Sequence, residues 1–290
     1  MANDLPISVW PVAQRPPALQ RGGRYVPETF AHPGKMAPAI AARAIETYTD
    51  PGEVVLDPMC GIGTTVVEAM HLGRRGIGIE YEERWAEVAA DNVDLAKHQG
   101  AKGHGRIVTA DARQASKVLG KRYEGRIALV VTSPPYGASL HGQVRAVPGK
   151  GVRKSDDAYS ADPANLAHVP IDDLLGGFAE ILCQCEVLLK PGGYVAVTVR
   201  PYREAGALVD LPSMVFACGQ DAGLVSFERN VALLAGLKGD GLVSRVSFFQ
   251  IERVRKARAA GIPLMCIAHE DLLILRKPLK IDSSRTRRTR

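Results

Sequence analysis

Val54-Val55-Leu56-Asp57-Pro58-Met59-Cys60-Gly61-Ile62-Gly63-Thr64-Thr65 decides how this chain folds. An apolar run ends in a carboxylate, passes through a glycine-rich turn and enters a helical pattern from Val66 to Leu72. A strand feeding a glycine turn that opens a helix lets backbone N–H groups and a close chain approach receive a nucleotide-like ligand. The turn lacks the third glycine of the dinucleotide fingerprint and the Gly-Lys-Ser/Thr of a phosphate loop. The pattern therefore favours a ligand without phosphates over NAD or ATP.

Outward from this turn, strands and helices alternate, which predicts a parallel sheet covered by helices on both faces. Residues 1–29 are rich in proline and arginine without a clear period and read as an irregular arm. A short helix is expected over 32–47, with strands over 53–57, 75–80 and 107–110 and a fourth ending at Ser133. Residues 137–169 read as a long loop. A helix over 171–189 then leads through Lys190-Pro191-Gly192-Gly193 into a strand over 194–199. A helix over 211–220 and strands near 224–234 and 269–276 complete the pattern.

Polar residues fall regularly on that map. Asp57, Glu80, Asp111 and Ser133 each stand at the carboxyl end of a successive strand. That edge is where open α/β sheets bind ligands. A carboxylate after the second strand can accept both hydroxyls of a ribose, and one after the third can accept from an adenine amino group. Each acid also fits as a helix N-cap. The fourth strand runs into Ser133-Pro134-Pro135-Tyr136. Two prolines offer carbonyls in a fixed direction and no N–H, so the rim accepts hydrogen bonds only, between a hydroxyl and a flat ring. Such a rim suits an exocyclic amino group on a planar base; taken alone, it also reads as a Pro-Pro turn closing a strand.

Together the two motifs resemble the amino-methyltransferases that modify nucleic-acid bases with S-adenosylmethionine. The stretch from Asp57 through Pro58, Cys60, Gly61, Gly63, Thr64 and Thr65 resembles their cofactor motif, and Ser133-Pro134-Pro135-Tyr136 resembles the serine form of their catalytic motif, which goes mainly with cytosine N4. The resemblance implies an α/β class I (Rossmann-like) methyltransferase fold, with a seven-stranded, mostly parallel sheet whose last strand is antiparallel. It assigns cofactor contacts to Glu80 and Tyr81, to Asp111 and Ala112, and to His32, Lys35 and Met36, a segment that also fits a proline-marked helix start. Trp85 fits a place by the adenine or, at helical spacing with Val88 and Ala89, the core. The implied activity is methyl transfer to DNA, with RNA guanine N2 and adenine N6 of DNA as alternatives and a relict nucleic-acid-binding protein as the non-enzymatic one. A large RNA-binding domain has no room before residue 30. A cognate endonuclease or recognition subunit is a possible partner.

Composition agrees. With 290 residues and 46% hydrophobic content, the chain can bury one large core, expected over residues 30–278. No apolar run approaches about 18 residues and no signal pattern opens the chain, so a soluble cytoplasmic protein is expected. Five scattered cysteines and seven unclustered histidines predict no metal. Net charge is +6, which permits nucleic-acid binding. Candidate contacts are Arg145, Lys150, Arg153 and Lys154 in the 137–169 loop, and Arg253, Arg255 and Lys256 in a 235–263 insertion. The latter three fit a solvated amphipathic helix equally well. Residues 279–290 read as a disordered basic tail.

Overall fold

The computed structural model describes residues 5–136, 143–147, 151–155, 162, 165–204, 206–246 and 248–279. In chain order the elements are β1 (Val9–Trp10), α1 (Pro17–Arg21), α2 (Pro38–Tyr48), β2 (Val54–Asp57), α3 (Thr64–His71), β3 (Arg75–Glu80) and α4 (Glu83–His98). They continue with β4 (His104–Thr109), α5 (Ala115–Leu119), β5 (Ile127–Thr132), β6 (Gln143–Val147), β7 (Gly151–Ser155), α6 (Ile171–Leu188) and β8 (Leu189–Val199). The last are β9 (Tyr202–Glu204), β10 (Ala207–Val209), α7 (Leu211–Asp221), β11 (Val225–Leu233), β12 (Ala235–Lys238), β13 (Gly241–Ser244), α8 (Phe248–Ala259) and β14 (His269–Arg276).

Eight strands form one sheet in the order β1-β11-β14-β8-β5-β2-β3-β4. Only β14 runs against its neighbours, pairing antiparallel with both β11 and β8. The central strands are mostly apolar, and every residue of β5 is buried. Strands buried on both faces need such unbroken runs, because helices cover both sides. One face packs Leu129, Val131, Ala196 and Ile274 against Ile40, Ala44 and Ile45 of α2. The other packs Val130, Val197 and Leu273 against Phe178 and Leu182 of α6 and Val215 of α7. Each fully buried side chain of this kind contributes roughly 1.5–3 kcal/mol.

The chain steps outward from β2 to β3 and β4, then returns to the other side of β2 as β5. Strand order reverses there, so the carboxyl ends of β2 and β5 flank the crevice where such sheets bind ligands. The glycine turn and Ser133-Pro134-Pro135-Tyr136 are thereby brought to one place.

Several expectations are corrected. Residues 5–29 are folded against the body and add an eighth strand: β1 pairs parallel with β11, Val9 opposite Val231. Trp10 and Tyr25 are each 5% exposed, and Arg24 donates to both oxygens of buried Glu68 at 2.8 and 2.6 Å. Single anchors and a two-residue strand leave no period for a sequence pattern to reveal. The first long helix starts at Pro38 and not at residue 32, since proline fits the first helical position and the preceding residue is held extended. The 137–169 stretch contains the antiparallel hairpin β6–β7, which sets Arg145 opposite Arg153 and Val144 opposite Lys154. Lys150 and the tail from residue 280 lie outside the described residues.

Candidate active site

A cavity of about 870 Å³ opens at the carboxyl edge of the sheet. The glycine turn forms its floor. Gly63 caps α3 in the left-handed region, with φ 79°. Gly61 is also left-handed, and a Cβ there would lie 3.1 Å from His32 Nε2. The imidazole of His32, 5% exposed, stacks edge-on against Trp85 with centroids 4.6 Å apart. Residues before α2 are thus pressed onto the turn. Gly61→Ala is expected to displace His32 and weaken cofactor affinity about tenfold in a still-folded protein, as read by calorimetric titration and circular dichroism; unchanged affinity would show the close approach to be dispensable.

Two carboxyls face this floor. Asp57 Oδ2 accepts from Thr65 Oγ1 at 2.7 Å and Oδ1 from the Met59 amide at 3.2 Å. Glu80 Oε2 accepts from the Gly61 amide at 2.6 Å and Oε1 from the Glu82 amide at 3.0 Å. Burial raises Asp57 to about 6 and Glu80 to about 7, and the two charges oppose each other. Among the described residues neither forms an ion pair with a cation. Buried carboxyls without a cation fit a ligand that brings positive charge or hydroxyl donors. Beside them burial holds the Cys60 thiol far above its usual range, with Glu80 and Asp57 adding to the effect, so it is no nucleophile. Lys35 also lines the cavity; burial and Arg21 lower its ammonium to about 8.

At the far end Tyr81 donates from its hydroxyl to Asp162 at 2.7 Å, and Asn165 donates to Glu82 at 2.7 Å, so residues after the hairpin wall this side. Asp111 caps the short 3-10 turn Ala112–Gln114 and is gripped by Arg113 Nε and Nη2 at 2.9 and 2.7 Å. Capping, one of the two roles its position allowed, is realised there, while the residue still lines the cavity.

The catalytic-motif candidates Ser133, Pro134, Pro135 and Tyr136 line the opposite side. The Tyr136 ring stands edge-on to Tyr202, centroids 6.3 Å apart, with the Arg200 guanidinium 5.8 Å above it. His32, Lys35, Met36, Asp57, Pro58, Cys60, Gly61, Thr64, Glu80, Tyr81, Asp111 and Ala112 share the same cavity. Gly63 and Thr65 lie behind it, Gly63 packing on Ala89 and Thr65 orienting Asp57. Trp85 is core, packed with Ile62, Val66 and Val88. Of the α8 cations only Arg253 reaches the cavity, donating to the Arg203 carbonyl at 3.2 Å, whereas Arg255 pairs with Glu252 on its own helix.

Sequence reasoning missed Thr198, Gln250 and Glu270, which also line the cavity. The signal for Glu270 was its place in the polar start, His269-Glu270-Asp271, of a strand whose centre, residues 272–275, is apolar, since an antiparallel strand begins where its parallel neighbours end. Among the described residues no group of three His, Cys, Asp or Glu side chains is placed to hold a metal, and no helix is long and apolar enough to cross a membrane.

Sheet order and cavity position are those of a class I, Rossmann-like methyltransferase, and the donor set fits S-adenosylmethionine, whose sulfonium and ammonium bring charge and whose ribose brings hydroxyls. A family model described as DNA methylase matches residues 3–91. A tRNA (guanine(10)-N2)-dimethyltransferase of Methanothermobacter thermautotrophicus is 31% identical over 111 residues, which is 38% of this chain and 30% of that protein. The protein of the same name from Methanocaldococcus jannaschii is 28% identical over 111 residues, 38% of this chain and 31% of its own length. The chain therefore matches less than a third of either curated relative. TrmN from Thermus thermophilus superposes with a TM-score of 0.51 at 17% identity, covering 89% of this chain and 53% of that one, a likeness of fold.

Proposed function

We propose that the protein transfers a methyl group from S-adenosylmethionine to an exocyclic amino group of a DNA base, cytosine N4. The observation that carries this reading is the convergence of the glycine turn, the two buried carboxyls of Asp57 and Glu80 and Ser133-Pro134-Pro135-Tyr136 on one cavity. Asp57 and Lys35 would hold the methionine end and Glu80 the ribose. When bound, the cofactor supplies an activated methyl group, so no covalent enzyme intermediate is required.

An aromatic amino nitrogen is a poor nucleophile because its lone pair is delocalised into the ring. The Ser133 hydroxyl and the Pro134 carbonyl would accept its protons, favour a tetrahedral nitrogen and aim the lone pair at the methyl group. Tyr136 would stack on a base that has left its helix.

A second reading, guanine N2 of RNA, is favoured by the names of the two archaeal relatives. Incubation with labelled S-adenosylmethionine and, separately, DNA, tRNA and rRNA, then nucleoside mass spectrometry, decides between them. N4-methylcytosine in DNA is expected; N2-methylguanine in RNA would overturn the first reading in favour of the second.

Replacing Arg253, Arg255 and Lys256 with alanine is expected to weaken DNA binding and lower the slope of log affinity against log salt by up to about three. Because Arg255 already pairs with Glu252 and Arg253 with a carbonyl, a fall of one to two is the expected value. An unaltered slope would place the DNA elsewhere.

A further inference from the structure

We infer that Glu270 reads the target base, donating a hydrogen bond from its carboxyl to the ring nitrogen beside the amino group that is methylated. The inference rests on the reading above and names the contact that sets a cytosine or adenine edge apart from guanine. Three adjacent strands place it. Thr132 of β5 is in register with Val197 of β8, and Thr198 is in register with Leu272 of β14. Ser133, next after Thr132, therefore stands beside Thr198 on one side, while Glu270, two residues before Leu272 and so on the same face of β14, reaches Thr198 diagonally from the other. All three line the cavity.

The local bonds leave Glu270 one task. Thr198 Oγ1 donates to Glu270 Oε2 at 3.0 Å, which fixes the carboxyl and marks that oxygen as an acceptor. The other oxygen is the one left to carry a proton. Burial raises the Glu270 carboxyl above its ordinary range, although Arg200, Thr198 and His269 each pull it down, and Arg253 is the remaining cation on the facing helix wall. A protonated carboxyl donates one hydrogen bond, whereas the ionised form only accepts. Cytosine offers an unprotonated N3 beside its amino group, and adenine an unprotonated N1. Guanine carries a hydrogen at the corresponding N1 and cannot accept there. The Pro134 carbonyl can only accept, and Glu270 offers a donor from the opposite side of Thr198. Glu270 thus completes the pair of opposite contacts that an amino-pyrimidine edge needs.

The test uses the full chain with S-adenosylhomocysteine and two single-stranded oligonucleotides, one holding deoxycytidine and the other 3-deazadeoxycytidine, which replaces N3 with a C–H. The wild type is expected to bind the first about tenfold more tightly, the size of one good hydrogen bond. Glu270→Ala is expected to bind both alike, and Glu270→Gln, whose amide still donates, to keep most of the preference. The preference should also fade as pH rises, because the donor proton is lost. Equal binding of the two oligonucleotides by the wild type overturns the inference, even where Glu270→Ala fails to fold. The methylated product is read separately. N4-methylcytosine without a deaza effect leaves the proposed function standing and removes Glu270 as reader. N6-methyladenine removes the cytosine reading, and the same comparison with adenine and 1-deazaadenine then judges Glu270. N2-methylguanine overturns both.

Discussion

Tyr136→Ala is expected to lower kcat/KM for methyl transfer by about a hundredfold or more while changing S-adenosylmethionine affinity by less than about twofold. The ring is half-buried at the mouth of the cavity, held edge-on by Tyr202 and capped by Arg200. Stacking a base on such a ring is worth about 1–3 kcal/mol. Displacing the amino nitrogen from its line with the methyl group costs about a further hundredfold in rate. The cofactor motif lies on β2 and β3, across the cavity, and loses nothing directly. Tyr136→Phe keeps the face and should keep most activity. Single-turnover rates and calorimetric titration on the same preparations separate the two effects. Joint loss of folding and cofactor binding would instead mark the motif as a turn that merely closes β5.

The side of the cavity lined by Asp57, Gly61 and Glu80 was legible in sequence because its signals are local. An apolar run, a carboxylate and a glycine turn stand within a dozen residues, and backbone geometry alone ties them to one sheet edge. Glu80 could be read the same way, since Gly76-Ile77-Gly78-Ile79 ends so plainly as a strand and places its carboxyl at the same edge. The opposite side was less legible because its parts come from distant strands. Glu270 meets Thr198 only through the antiparallel insertion of β14 between β8 and β11, a topology that no local pattern encodes. Arg113 illustrates a different gap: its grip on Asp111 is a side-chain choice between solvent and a neighbour two residues away, which periodicity cannot settle. The first thirty residues hid for a third reason. Their anchors Trp10 and Tyr25 are buried singly, each by partners brought from elsewhere in the chain, so no stripe forms.

Glu80→Ala is expected to weaken S-adenosylmethionine binding by about a hundredfold, because two hydrogen bonds from ribose hydroxyls to a carboxylate are each worth roughly 1.5–3 kcal/mol. The pH dependence gives a sharper test. Burial raises Glu80 to about 7 in the ligand-free protein, so part of the population holds a proton at neutral pH. Ribose hydroxyls donate best to the ionised form, and the cofactor's positive charge favours it as well. Affinity should therefore fall as pH drops below about 7, by up to tenfold per pH unit, and Asp57, raised to about 6, should steepen the fall below that. Stability runs the other way. A carboxyl held above its unfolded value binds its proton more tightly in the folded chain, so its stabilising effect is present below about 4.5 and is lost as pH rises through about 7. The loss is on the order of 3 kcal/mol, since each tenfold gain in proton affinity on folding is worth about 1.4 kcal/mol. Glu80→Gln, nearly isosteric and uncharged, should flatten that decline and raise the melting temperature of the ligand-free protein above pH 7. It should still fail to bind the cofactor tightly, because its amide offers a single acceptor and no charge. Thermal unfolding from pH 5 to 8, with and without S-adenosylmethionine, reads both effects at once. Wild-type cofactor affinity in Glu80→Gln would remove Glu80 from the ribose site, whatever its effect on stability.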